Sequence, residues 1–137
     1  MRSVLALLAV FVGFGVACGD EGGEELSGPE RYIQEKTQYF QVFCTCAEGE
    51  TEVQPASSPC VRGYLGDQTA CEEDVLEEQW DDLEGSAECL VAAYEEATEC
   101  LTEACAVQQC LVNFQNDTAR CSSEAADAFG EACNSIQ

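Results

Sequence analysis

An all-α fold, a small disulfide-stapled bundle of about four helices in antiparallel hairpins, is predicted by three observations. Eleven of the 137 residues are Cys, a density typical of exported, cross-linked scaffolds that lack a large core. Gly and Pro become sparse beyond residue 66, where apolar residues recur at helical spacing. Alternating β-branched and aromatic runs, the mark of strands, are nearly missing. The length allows one domain with a small core.

The chain divides into residues 1–17, an acidic and Gly-rich stretch over 18–28, and a Cys-rich domain over 29–137. In the domain, Ser27 and Glu30 have the spacing of a capping box, with Pro29 in the first turn. The segment from Pro29 to Cys46 then carries Tyr32, Ile33, Tyr39, Phe40, Phe43 and Cys44 on a broad apolar face, which predicts a helix. Residues 47–59, polar with two prolines and no period, read as a loop. Asp67 is placed to cap a second helix, with Cys71, Val75, Leu76, Trp80 and Leu83 on its inner side. Gly85 and Ser86 are expected to end that helix and start a third. Its face is lined by Cys89, Leu90, Ala93, Tyr94, Ala97, Cys100 and Leu101, and it either runs on to about Phe114 or bends near Cys105. Asn116, Asp117 and Thr118 are expected to open a last helix bearing Cys121, Ala125, Ala128, Phe129, Ala132 and Cys133.

Cysteine spacing carries further information. Cys60 and Cys71, Cys89 and Cys100, and Cys110 and Cys121 are each eleven apart, which returns a side chain to nearly the same helix face. Residues facing each other across an antiparallel hairpin keep a constant number total. Cys71 with Cys89 and Cys60 with Cys100 share one such total, while Cys110 with Cys121 and Cys100 with Cys133 nearly share another. Cys71–Cys89 and Cys110–Cys121 are therefore the expected bridges, and Cys100–Cys133 competes with Cys60–Cys100. The remaining candidates are Cys44, Cys46 and Cys105. The arrangement resembles, in architecture alone, the helical hairpins of the twin Cys-x9-Cys family, with one extra residue per spacer.

Residues 1–17 give the address. A basic start, Met1-Arg2-Ser3, precedes a 14-residue apolar run from Val4 to Ala17. A helix crossing a bilayer needs about 20 such residues, so the run fits a secretory signal peptide instead. It ends Gly15-Val16-Ala17-Cys18, and Val16, Ala17 and Cys18 resemble the signal of bacterial lipoproteins, although Gly15 stands where Leu is usual. That resemblance implies a lipid on Cys18, which becomes the mature N-terminus and holds the protein to a membrane. Gly19, rather than Asp, follows the cysteine, which in that family goes with the outer membrane. The small residues Gly15 and Ala17 also suit ordinary signal peptidase and a freely secreted product. An odd cysteine count favours the anchor, because ten of eleven can then pair completely. Residues 18–28 have the composition of a solvated tether.

Charge and missing residue types exclude much else. With 27 Asp or Glu against five Lys or Arg, the net charge of −22 rules out a nucleic-acid partner. The absence of His removes Ser-His and Cys-His dyads and His-ligated metal sites. No Cys-x-x-Cys is present, and Cys44-x-Cys46 and the Cys100, Cys105, Cys110 series lack the knuckle spacing of structural zinc sites. No cofactor or metal is expected, and nothing singles out a catalytic pair of carboxylates, so the chain reads as a non-enzyme.

The acidic run Glu72, Glu73, Asp74, Glu77, Glu78, Asp81, Asp82 and Glu84 suits a basic protein surface or a hard cation such as Ca²⁺. It has no Ca²⁺-loop spacing and reads first as a solvated face. Trp80, beside Asp81 and Asp82, falls at a core position. Asn116-Asp117-Thr118 fits a glycosylation sequon but is better used as a turn and cap.

Overall fold

The computed structural model of the chain describes residues 25–134. It contains four α-helices, α1 (Gly28–Glu48), α2 (Pro59–Ala104), α3 (Val107–Thr118) and α4 (Glu124–Cys133), and no strand among the described residues.

Helix α1 starts where the capping box predicts. The Glu30 N–H donates to Ser27 Oγ at 3.4 Å, and the Ser27 N–H donates back to Glu30 Oε2 at 2.9 Å. Its end is set by Gly49 at φ 71°, whose N–H bonds the carbonyls of Cys46 and Thr45. Glycine takes up this left-handed conformation without a Cβ penalty. Tyr32, Lys36, Tyr39 and Val42 form the buried stripe.

Helix α2 departs from expectation at its predicted end, and at its predicted start by an added stretch, 59–65, ahead of a break at Gly66 beside Asp67. It begins at Pro59, under a Ser58 cap that accepts from the Val61 N–H at 3.3 Å, and not at Asp67. The conformational break lies at Gly66, with φ 44° and ψ −160°. The second break is at Gln79 (φ −126°, ψ 23°), while Gly85 and Ser86 are helical. Glu72 and Tyr94, on opposite sides of Gln79, both touch Tyr32, through a hydrogen bond of 3.2 Å and a ring contact of 6.0 Å. On a straight helix those residues would lie about 33 Å apart. The helix therefore folds back at Gln79 into two arms, 59–78, itself interrupted at Gly66, and 80–104.

The Ser86 hydroxyl caps a helix other than its own. It donates to the Ser122 carbonyl at 2.8 Å and accepts from the Ala125 N–H at 3.1 Å, capping α4 from a neighbouring helix. The bend near Cys105 is present, with Cys105 at φ 47°. Asn116, Asp117 and Thr118 close α3 rather than open α4, and a turn follows in which the Cys121 N–H bonds the Thr118 carbonyl at 3.1 Å.

All ten cysteines of the domain pair, as Cys44–Cys60, Cys46–Cys105, Cys71–Cys133, Cys89–Cys121 and Cys100–Cys110. The expected bridges Cys71–Cys89 and Cys110–Cys121 are replaced, as are both competing alternatives, Cys60–Cys100 and Cys100–Cys133. Cys110 and Cys121 lie eleven residues apart along α3 and its continuation, about 16 Å, and a bridge needs Cα atoms within about 7 Å. The hairpin that obeys the constant-total rule is the 80–104 arm with α3. Stepping eleven residues up the arm from Cys89 to Cys100 matches eleven down α3 from Cys121 to Cys110. Cys71 belongs to the other arm, which faces α4, and so meets Cys133. Cys60 lies beside the C-terminal turn of α1 and takes Cys44.

Much of the packing between these elements is aromatic, running from the buried Tyr32, Tyr39, Tyr94 and Phe129 out to the exposed Tyr64. Tyr32, Tyr39, Phe40, Phe43, Tyr64, Tyr94, Phe114 and Phe129 form one connected set of ring contacts, with Tyr39 stacked on Phe114 at 5.0 Å and Tyr94 packed at 5.5 Å. Trp80 packs against this core, half-buried, over the first residue of α1. A Cβ built on Gly28 would lie 1.9 Å from the indole ring. Gly28→Ala is expected to lower stability by about 1–3 kcal/mol, because the rigid ring must move. A denaturant titration would show it, and Trp80→Leu in the same background should restore part of the loss.

Candidate functional site

Two polar features stand out from the apolar packing. The first is buried. Lys36, the one lysine of the chain, lies on the inner stripe of α1, four residues after Tyr32 and three before Tyr39. Its Nζ meets Glu72 Oε2 at 2.5 Å, with both side chains more than nine-tenths buried. The same carboxylate accepts from the Tyr32 hydroxyl at 3.2 Å and, at its other oxygen, from Gln68 Nε2 at 3.3 Å. Three donors on one carboxylate are what a buried charge requires. No buried side-chain polar atom lacks a partner among the described residues.

Burial raises the hydroxyls of Tyr32, Tyr39 and Tyr94 above the ordinary tyrosine range, with neighbouring Tyr and Glu72 charges adding to the effect. The sign of the pH dependence follows. In the unfolded chain these groups ionise near pH 10, about their ordinary value, whereas in the fold they stay protonated. Stability is therefore expected to fall as the pH rises through about 10, since unfolding then releases protons. Phenolate absorbance followed against pH should show these tyrosines ionising together with loss of helical circular dichroism. Separate ionisation in an intact fold would contradict the burial.

The second feature is an open acidic groove of about 590 Å³ between α1 and the 80–104 arm, lined by Glu35, Gln38, Glu95, Thr98, Glu99, Thr102 and Glu103. The threonines are committed to their own helix, as Thr98 Oγ1 donates to the Tyr94 carbonyl at 2.7 Å and Thr102 Oγ1 to the Thr98 carbonyl at 2.8 Å. What remains to face solvent is four carboxylates and the Gln38 amide. Partial burial, then repulsion from Glu95, raises the Glu35 carboxyl, against a smaller pull from Arg31. Arg31 bonds Glu95 at 2.7 Å at the groove edge. Such a surface is complementary to cationic side chains. Among the described residues no group of three His, Cys, Asp or Glu is placed to hold a metal ion.

The residues singled out from the sequence are scattered by the fold. Of the acidic run, Glu72 turns inward to Lys36 and Glu73 is half-buried, while Asp74, Glu77, Glu78, Asp81, Asp82 and Glu84 are exposed. Cys100, Cys105 and Cys110 sit in two bridges. Asn116 is exposed at the end of α3. Cys18 and residues 1–24 lie outside the described residues. Neither the groove nor the ionic cluster was read from the sequence. For the cluster a signal existed, a lone Lys in register with the apolar positions Tyr32, Tyr39 and Phe43 of one helix. Five disulfides mark a protein of an oxidising, exported compartment. No helix among the described residues is long and apolar enough to cross a membrane. Compared with protein-family models, with curated proteins and with solved structures, the chain matches none.

Proposed function

We propose that the chain is a cell-envelope lipoprotein, anchored by lipid on Cys18, whose helical domain is a non-catalytic interaction or structural module displayed at a membrane surface. The observation that carries this reading is the complete pairing of the domain's ten cysteines, which uses every cysteine of the chain except Cys18. An anchored cysteine needs no disulfide partner, and the preceding Val16-Ala17 suits the lipoprotein signal. A net charge of −22 argues that the lipid, not attraction to anionic headgroups, does the holding. Residues 18–28, the last two of which cap and begin α1, supply the tether, and Gly19 supports an outer-membrane address. The groove lined by Glu35, Glu95, Glu99 and Glu103 supports a partner with a basic surface in preference to a cation, because its carboxylates converge on no common point.

Intact mass of the mature protein from its native envelope tests the anchor. Acyl mass on Cys18 with no free thiol is the expected result, and an unmodified N-terminal Cys18 overturns it. A freely secreted helical binding protein, cleaved after Ala17, is the second reading, favoured by small residues at Gly15 and Ala17. It would appear in the medium with Cys18 unacylated.

A further inference from the structure

The five bridges divide the helices into two covalently stapled groups. Cys44–Cys60 ties α1 to the 59–78 arm, and Cys71–Cys133 ties that arm to α4. Cys89–Cys121 and Cys100–Cys110 tie the 80–104 arm to α3 and the turn after it. Among the described residues one bridge alone crosses between the groups, Cys46–Cys105. The backbone crosses at the non-helical Gln79 and at the turn between α3 and α4.

That crossing bridge is also the most accessible. Cys105 is the one exposed cysteine among the described residues. The Cys44–Cys60, Cys71–Cys133 and Cys100–Cys110 bridges each contain a residue no more than 1% exposed, and both members of Cys89–Cys121 are half-buried. Cys105 is, in addition, the one non-glycine described residue with a left-handed φ, at 47°. A β-carbon is disfavoured there, so tertiary restraint must hold the conformation, and the bridge to α1 is the covalent part of that restraint. What the bridge holds closed is aromatic. Across the boundary Tyr39 meets Phe114 and Tyr94, and Tyr32 meets Tyr94, while the Arg31–Glu95 pair at the edge is exposed.

We propose that Cys46–Cys105 is a redox clasp: a dithiol reductant opens it selectively, and the two stapled groups then part about Gln79, uncovering the aromatic seam between Tyr39 and Tyr94. One thiolate of the reductant attacks the sulfur of Cys105, the exposed residue of the bridge. A mixed disulfide forms and the Cys46 sulfur leaves as a thiolate, which takes up a proton. The reductant's second thiol then attacks its own sulfur in the mixed disulfide, closing a cyclic disulfide and releasing Cys105 as a thiol. The reductant loses two electrons and two protons, and Cys46 and Cys105 gain them. The other four bridges stay intact, so each group keeps its own staples. The clasp operates whether or not Cys18 carries lipid.

Graded dithiothreitol on the native oxidised chain tests this, with N-ethylmaleimide trapping, peptide mass mapping and hydrogen exchange on the same samples. Cys46 and Cys105 are expected to label together before the other eight, giving a species with four bridges. In that species the amides over 39–46 and 94–101 should exchange about tenfold faster or more, while those over 107–118 keep their protection. Another pair labelling first, or all ten labelling together, overturns the selectivity. Selective labelling with unchanged exchange overturns the opening. The double variant Cys46→Ser/Cys105→Ser should show the loosened exchange pattern without reductant, and a pattern like that of the oxidised native chain counts against the clasp. Should that variant not fold, the titration of the native chain decides the matter alone.

Discussion

In excess reductant at neutral pH the domain is expected to lose its helical circular dichroism altogether, rather than to loosen. Five bridges spanning 10 to 62 residues are present, and each contributes roughly 2–4 kcal/mol by restricting the unfolded chain. Together that is roughly 10–20 kcal/mol, as large as or larger than the roughly 5–15 kcal/mol by which domains are usually stable. Little else compensates. Among the described residues the largest fully buried side chains are Leu76, Leu101, Val61 and three half-cystines, Cys44, Cys110 and Cys133. Acids four apart along the arm before Gln79, such as Glu73 with Glu77 and Asp74 with Glu78, repel one another by roughly 0.2–0.5 kcal/mol a pair. A cooperative helical melting transition surviving full reduction would show that the core suffices without bridges. The partly reduced species with only Cys46–Cys105 open is expected to precede this collapse, so thiol counting must accompany the spectrum.

Lys36→Met is expected to destabilise the oxidised domain by about 3–5 kcal/mol, the usual cost of removing one partner from a buried ion pair. Glu72 would keep its hydrogen bonds from Tyr32 and Gln68 but lose the charge that meets it at 2.5 Å. Solvent offers no substitute, since less than a tenth of either side chain is exposed. Replacing both residues, as in Lys36→Met with Glu72→Leu, is expected to recover most of the loss, because an apolar pair of similar size removes both desolvation costs. Denaturant midpoints of the single and double variants measure this. Equal destabilisation by both would mean that packing volume, and not the unpaired charge, sets the cost.

The pair also illustrates what one-dimensional reading misses. Glu72 opens an acidic run and, by composition, belongs to a solvated face. Its position relative to Val75 and Leu76 turns it inward, and only the approach of α1 supplies the lysine that makes burial tolerable. Trp80 was legible as a core residue, because helical spacing reports a local property. Gly85 and Ser86 carried the right signals for a helix boundary in the wrong place, for the Ser86 hydroxyl caps α4, whose N-terminus arrives 39 residues later in the chain. Asn116-Asp117-Thr118 likewise suited a cap and serves at the other end of its helix.

By itself the sequence determined the helical class, the capping box at Ser27, the loop before Ser58 and the commitment of ten cysteines to the domain, with Cys18 set apart. Each of these rests on neighbours within a few turns of chain, or on a count. Tertiary structure alone decided which cysteines pair. The equal spacing of Cys89 with Cys100 and of Cys110 with Cys121 was visible, and it does staple a hairpin at both ends. However, the same eleven-residue interval fits several partners, and a bridge forms only where two helices bring Cα atoms to within 5.2–6.0 Å. That closeness depends on where α2 folds back, at Gln79, a residue with no turn chemistry of its own. Packing of Tyr32 against both Glu72 and Tyr94 requires the reversal, so the pairing follows from the core and not from the spacing.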